Sequence, residues 1–267
     1  MPKNIPFVPA DDLSKLWRAI IEFDMLAPGD RILVGLSGGK DSMLLTAMLA
    51  EIKKFSPIPF DLACYTVNAM FAPNFPKQEL VDFCAHYGLE HYSDDVDIMA
   101  AHAKKGGSPC FTCAYFRRAA TNRRAKELGF NKVALAHHND DAVETFFMNV
   151  MTSGQLRTFL PVTPLSRSGI TVLRPLLYYR EQEIRDLVAK LGIKPLKNPC
   201  PYDGHTMRQD VKEHIAELNE RYPEVYDHLL AAMRSSDRQE LWPGKPTDKE
   251  MVAKFRAFWG RKRGQQP

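Results

Sequence analysis

Arg31-Ile32-Leu33-Val34-Gly35-Leu36-Ser37-Gly38-Gly39-Lys40-Asp41-Ser42 decides the fold of this 267-residue chain. The continuous apolar run Arg31–Leu36 predicts a strand buried on both faces, as in a parallel sheet covered by helices. Gly38 and Gly39 predict a sharp turn open to a ligand, and Asp41–Lys54 predicts a helix. A strand that hands over to a helix through glycines aims backbone N–H groups and the positive helix end at one place, a site for phosphate. Ser37 and Ser42 add hydroxyl groups there, and Lys40 adds a charge. The stretch is not a G-x-x-x-x-G-K-S/T loop, because Val34 and Asp41 stand where that pattern needs Gly and Ser or Thr. Nor does it carry G-x-G-x-x-G.

Strand and helix patterns alternate on either side of this junction. Phe60–Val67, Glu90–Ser93, Lys132–Ala136 and Ile170–Leu173 read as further strands. Lys77–Tyr87, Cys113–Leu128, Asn139–Met151 and Arg180–Leu191 read as helices between and after them. The expected fold is α/β, a doubly wound, mostly parallel five-stranded sheet with flanking N- and C-terminal helices. Those flanks are Asp11–Phe23 before the first strand, then Thr206–Arg221, Glu224–Ser235 and Asp248–Trp259 after the last. The expected organisation is an N-terminal helical segment (1–24), a nucleotide-binding domain (25–195) and a C-terminal helical region (196–267).

Composition narrows the function classes. Hydrophobic content of 45% and charged content of 25% suit a globular protein. No apolar run reaches the roughly 18–20 residues of a membrane span, and Met1–Pro6 lacks a signal peptide's apolar region, so the expectation is a cytoplasmic protein without a membrane partner. A net charge of +4 permits a polyanionic partner without requiring one. Two basic clusters stand out, Arg117, Arg118, Arg123, Arg124 and Lys126 on one predicted helix, and Arg261-Lys262-Arg263 at the end. Each is either a solvated face or a contact to phosphates.

Five cysteines do not make a disulfide framework in such a chain. Cys64 in a strand and Cys84 in an amphipathic helix read as packed core thiols. Cys110 and Cys113 form a C-x-x-C pair at a predicted helix start, where the helix end and Arg117 and Arg118 favour thiolates. Such a pair is half a metal site, a redox pair or packing. Cys200, in the Pro-flanked Asn198-Pro199-Cys200-Pro201, offers a third thiol, and three thiolates suit an iron–sulfur cluster with one open iron or a zinc site completed elsewhere.

Ala136-His137-His138-Asn139-Asp140-Asp141 follows a strand and opens a helix. Strand C-terminal ends line the ligand crevice of a doubly wound sheet. The carboxylates there either hold Mg²⁺ against nucleotide phosphates or cap the helix.

Ser37-Gly38-Gly39-Lys40-Asp41-Ser42 matches Ser/Thr-Gly-Gly-x-Asp-Ser, the PP-loop of the ATP-pyrophosphatases. With Cys110, Cys113, the His-His-Asn-Asp-Asp segment and Cys200 in this order, the chain resembles the TtcA-like PP-loop sulfur transferases, the tRNA 2-thiocytidine synthetase family. The likeness spans most of residues 14–215 and includes Phe23–Asp30 and Leu173-Arg174-Pro175-Leu176. It implies the adenine nucleotide alpha hydrolase-like PP-loop fold. It also implies an ATP-dependent enzyme that adenylates C2 of a tRNA pyrimidine and lets sulfide displace AMP. Ser37, Gly38, Gly39, Lys40, Asp41, Ser42, His138 and Asp141 would then bind ATP, with Mg²⁺. Asp41, Asp140 and Arg117 are the expected catalytic residues, and Cys110, Cys113 and Cys200 the expected ligands of a [4Fe-4S] cluster. The implied partners are tRNA and a sulfur donor, either a cysteine desulfurase or free sulfide, with room for a homodimer. The alternative is a PP-loop or sulfur-handling enzyme acting on a small molecule without tRNA.

Overall fold

The structure, a computed structural model, describes residues 7–72, 74–105, 109–197, 200, 207–234 and 246–259. Side-chain alternation sets its layers. Strand β1 (Asp30–Gly35) sends Ile32 and Val34 to one face of the sheet and Leu33 to the other. Strand β2 (Phe60–Asn68) repeats the pattern, with Phe60, Leu62 and Cys64 on the first face and Ala63, Tyr65 and Val67 on the second. This is the period of two that a pleated strand imposes.

Helices cover both faces. On the first lie α1 (Ser14–Glu22), α2 (Lys40–Phe55), α3 (Lys77–His86) and a later helix, Glu181–Lys190. Helix α2 is buried without a break from Ser42 to Ile52, so it is covered all round rather than along one stripe, with Ser42, Thr46 and Glu51 the polar members of that stretch. Truncating one of its leucines, Leu45 for instance, would cost roughly 2–5 kcal/mol. The second face is covered by a helix spanning Pro109–Glu127, which inserts Ala120 and Ala125.

The remaining strands are β3 (Glu90–Asp95), β4 (Lys132–Ala134), β5 (Val162–Leu165) and β6 (Ile170–Leu173). The sheet order is β3-β2-β1-β4-β6-β5, and every pairing is parallel except β5 with β6. The doubly wound parallel sheet is as expected, but it has six strands rather than five. The extra strand, β5, contains Pro164 opposite Thr171. Proline tells against a strand in a sequence, yet an edge tolerates it because its missing N–H is not needed there.

In chain order the other helices are α4 (Ile98–Lys105), α5 (Pro109–Glu127), α6 (Asn139–Ser153), α7 (Glu181–Lys190), α8 (Met207–Arg221), α9 (Val225–Arg234) and α10 (Asp248–Trp259). Helix α5 starts four residues before the expected Cys113, with Pro109 at its first position, where a missing N–H costs nothing. Helix α4 had no counterpart in the sequence reading. A separate small core joins Val143 of α6, Val211 and Ile215 of α8, and Tyr226 of α9.

The chain forms two compact units, Met1–Met233 and Arg234–Pro267. In the first, α1 belongs to the main core through Leu16, Ala19 and Ile20. In the second, α10 opens with a capping box: the Thr247 N–H donates to Glu250 at 2.7 Å and the Glu250 N–H donates to the Thr247 hydroxyl at 3.3 Å. Among the described residues no helix is long and apolar enough to cross a membrane. The Arg261-Lys262-Arg263 cluster lies outside the described residues.

Candidate active site

After β1 the chain builds β2 and β3 on one side, then returns to place β4 on the other. Helical connections therefore diverge between β1 and β4 and leave a crevice at the strands' C-terminal ends. A cavity of about 660 Å³ opens there, lined among others by Ser37, Asp41, Ser42, His137 and Asp141.

The phosphate loop is preformed. Gly38 has φ +83°, and a Cβ on it would stand 2.8 Å from Leu196 Cδ1. The Leu196 N–H also donates to the Gly38 carbonyl at 2.8 Å. Both conformation and space thus require glycine. Ser42 Oγ donates to the Gly39 carbonyl at 3.0 Å and accepts from the Ser37 N–H at 3.1 Å. Its one proton is spent, so the Ser37 hydroxyl is the donor in their 3.0 Å contact. The Lys40 ammonium lies 3.1 Å from Asp41 and 3.1 Å from Glu181. Burial works against the Lys40 charge, but Asp41 and Glu181 outweigh it and raise its pKa. Burial also disfavours the Glu181 charge, yet Lys212 and Lys40 hold its carboxyl down at about 2.

Opposite the loop, His138 is buried among three carboxylates. Its Nε2 is 3.8 Å from Asp41 and 3.5 Å from Asp141, and its Nδ1 is 3.6 Å from Asp140. Burial alone would lower its pKa, but these carboxylates reverse the sign and raise it. His137 faces the cavity and goes the other way. Burial takes it down to about 4, so it is neutral at pH 7.

The two aspartates of the segment part company. Asp141 lines the cavity, accepts from the His138 N–H at 3.0 Å and meets Arg208 of α8 at 3.3 Å. Asp140 instead accepts from Arg180 Nε and Nη2 at 3.2 and 3.1 Å and from the Glu181 N–H at 2.8 Å. It clamps the start of α7, while Arg180 stacks 3.5 Å over the Tyr226 ring. Asp41 Oδ1 is buried, and the Lys40 ammonium 3.1 Å away is its ion-pair partner, though no hydrogen bond reaches it among the described residues. With Asp141 it forms an oxygen donor pair that fits a hard cation such as Mg²⁺.

Cations form the facing wall. Arg117, Arg118 and Arg174 line the cavity. Arg174 is held by the Leu160 carbonyl at 2.6 Å and Thr163 Oγ1 at 3.0 Å, and its buried Nε has no hydrogen-bond partner among the described residues. Burial, with Arg118 nearby, takes its pKa down to about 10. The rest of the basic cluster on α5 is occupied differently. Arg124 pairs with Asp94, which also accepts from Tyr65 at 2.8 Å, and Arg123 lies 3.7 Å from Glu127.

One residue along α5 from the cavity-lining Ala114 stands Cys113. It lines a second, small cavity with Cys110, Cys200, His102, Phe71, Ile98, Met99 and Pro109. The sequence suggested stabilised thiolates here. For Cys113 the structure corrects that: burial pushes the thiol up, Cys200 and Cys110 add to this, and Arg117 opposes them without winning. Three soft thiol donors and an imidazole around one cavity fit an iron–sulfur centre. Among the described residues no three His, Cys, Asp or Glu side chains are drawn together as a single-ion site. Cys64 and Cys84 are buried against each other in the main core, as expected.

Glu181, Leu196, Arg174, Arg208 and His102 received no role from the sequence. Arg174 lay inside the noted Leu-Arg-Pro-Leu stretch, where an arginine next to an apolar strand was a usable signal. The others carry none, because each matters through a partner far away in the chain.

A family model described as a PP-loop domain matches residues 13–218. The tRNA-cytidine(32) 2-sulfurtransferase of Ralstonia pickettii is 33% identical over 226 residues, covering 83% of this chain and 71% of that protein. The protein of the same name from Dichelobacter nodosus is 35% identical over 222 residues, covering 81% and 82%. Among solved structures, the U34-tRNA thiolase NcsA from Methanococcus maripaludis, with its [4Fe-4S] cluster, matches with a TM-score of 0.68 at 22% identity. The match covers 88% of this chain and 84% of that one. That likeness is one of fold.

Proposed function

This chain belongs to the PP-loop family, in the branch of the tRNA-cytidine 2-sulfurtransferases, and from that premise we propose that it thiolates C2 of a pyrimidine in tRNA at the expense of ATP. The observation that carries the reading is the adjacency along α5 of Cys113, in the three-cysteine cavity, and Ala114, in the phosphate crevice. Activation and sulfur delivery must act on one carbon, and these two cavities meet at one helix turn.

The backbone of Ser37, Gly38 and Gly39 at the start of α2 receives the phosphates of ATP, with Lys40 and Ser42 shaping and charging the loop. Asp41 and Asp141 would hold Mg²⁺, whose charge would offset that of the phosphates, and His138 stands between the two carboxylates. Asp140 acts through Arg180 as a positioning residue that fixes the His138–Asp141 segment. Arg117, Arg118 and Arg174 balance the charge of the phosphates and of the approaching nucleotide. The C2 oxygen of the pyrimidine attacks the α-phosphorus and pyrophosphate leaves. Sulfur then takes the place of that oxygen, which departs in AMP. A [4Fe-4S] cluster on Cys110, Cys113 and Cys200 would supply the sulfur-carrying chemistry. A cysteine desulfurase or free sulfide is the source.

The test uses anaerobically reconstituted protein with ATP, sulfide and bulk tRNA. Nucleoside digests should show a pyrimidine that has exchanged oxygen for sulfur, with AMP and pyrophosphate released in step. Release of ADP and phosphate, or sulfur incorporation indifferent to tRNA, overturns the proposal. The latter result would favour a small-molecule substrate.

A further inference from the structure

His137 and Arg174 share one aromatic support at the crevice. The ring centres of Phe159 and His137 are 5.0 Å apart, and the Arg174 guanidinium carbon stands 4.9 Å over the Phe159 ring. Both side chains line the large cavity, His137 just after β4 and Arg174 just after β6. Those strands pair directly, so their C-terminal ends hold the two residues side by side. Arg118, on the helix that carries Cys113, is near enough to act on the Arg174 charge.

Each side chain turns one donor to the cavity. Arg174 Nη1 is spent on the Leu160 carbonyl and Thr163 Oγ1, and its Nε is buried. The half-buried guanidinium therefore reaches the cavity through Nη2. His137 Nδ1 is buried with no hydrogen-bond partner among the described residues, so the edge that lines the cavity carries Nε2. A buried N–H without an acceptor is rarer in proteins than a buried lone pair without a donor. The proton of this neutral imidazole accordingly sits on Nε2. The crevice thus offers two N–H donors, one cationic and one neutral, both packed against Phe159.

Cytosine carries two adjacent acceptors, O2 and N3, on either side of the bond to the reacting carbon C2. Uracil carries O2 beside an N3–H, which would face a second donor. We propose that Arg174 and His137 choose the base: Arg174 Nη2 donates to N3 and His137 Nε2 to O2, so that cytosine is accepted and uracil rejected. The proposal rests on the reading of this crevice as the site of pyrimidine thiolation. His137 fixes the register and leaves the second lone pair of O2 for phosphorus. The charged bond to N3 draws electrons from C2 and favours sulfide attack there. Uracil is rejected because it leaves the arginine donor unpaired.

In the experiment the anaerobically reconstituted full chain first receives ATP, sulfide and unmodified tRNA transcripts, and the thiolated position is mapped. Synthetic tRNAs then carry cytidine, uridine or 3-deazacytidine there; the last keeps the C2 oxygen but has C–H in place of N3. Wild-type kcat/KM should favour cytidine over uridine by a hundredfold or more, and over 3-deazacytidine by tenfold or more. Arg174→Gln, whose amide carbonyl accepts an N3–H, should narrow the cytidine-to-uridine ratio by tenfold or more. Partial misfolding lowers both rates and does not move that ratio. His137→Ala should loosen the register and narrow it too, and His137→Gln, which keeps a donor near Nε2, should restore it. If the arginine variant does not fold, the 3-deazacytidine comparison in the wild type decides. Equal rates on cytidine and 3-deazacytidine, an unchanged ratio in Arg174→Gln, or uridine as the mapped target overturns the base-reading pair and leaves thiolation standing. Absence of any thiolated nucleoside from the wild-type reaction overturns the function reading instead.

Discussion

Leu196 closes over Gly38: its N–H donates to the glycine carbonyl at 2.8 Å, and its Cδ1 fills the place where a Cβ would stand. The phosphate loop is therefore held from a segment more than 150 residues downstream. Gly38→Ala meets both a left-handed backbone, worth roughly 1–2 kcal/mol, and this side chain. The expected outcome is loss of ATP binding by tenfold or more, with an unchanged circular dichroism spectrum. Gly38→Ala combined with Leu196→Ala should recover part of it, because only the steric half is relieved. Calorimetric titration with ATP checks both, and wild-type affinity in the single variant would refute the account.

Glu181 joins the phosphate-loop Lys40 to Lys212 of α8, so its charge ties two helices to the site. Its folded pKa of about 2 lies below the ordinary 4.5. Its contribution is thus complete above 4.5 and fades as pH falls toward 2. Glu181→Gln should lower stability by roughly 2 kcal/mol near neutral pH and flatten this acid limb. Urea unfolding over a pH series measures it; parallel curves for the two proteins would exclude the linkage.

The five cysteines should separate into two classes. Cys110→Ala, Cys113→Ala and Cys200→Ala are expected to lose iron, sulfide and sulfur transfer. Cys64→Ala and Cys84→Ala should keep them and cost about 1 kcal/mol of core packing. Metal analysis of each purified variant decides, and full cluster occupancy in Cys200→Ala would remove it from the ligand set.

Arginines on α5 should divide by what they face. Arg118→Ala, at the crevice, is expected to weaken tRNA binding and lower the magnitude of its salt slope by about 0.7 if the contact is to a single-stranded phosphate. Arg124→Ala should instead lower the melting temperature by freeing Asp94 and leave the slope alone. Filter binding over a salt series, beside thermal melts, separates the two. An unchanged slope in Arg118→Ala would move the nucleic-acid path elsewhere.

The sequence by itself determined what is local. A strand, two glycines and a helix start lie within Arg31–Ser42, so the phosphate loop and the parallel sheet around it were legible from spacing alone. The same holds for the C-x-x-C pair on a helix start and for Cys64 and Cys84 in apolar runs. Tertiary structure decided everything that depends on who stands opposite. Asp140 and Asp141 are neighbours of one kind, yet one clamps Arg180 and the other lines the crevice. His137 and His138 titrate in opposite directions because only His138 has three carboxylates around it. Cys113 sits beside Arg117 as expected, but burial outweighs the arginine and reverses the predicted shift. The edge strand β5 was invisible because Pro164 argues against a strand until an edge is available to hold it. Spacing reveals backbone conformation; desolvation and charge pairing depend on side chains that folding brings together from distant parts of the chain.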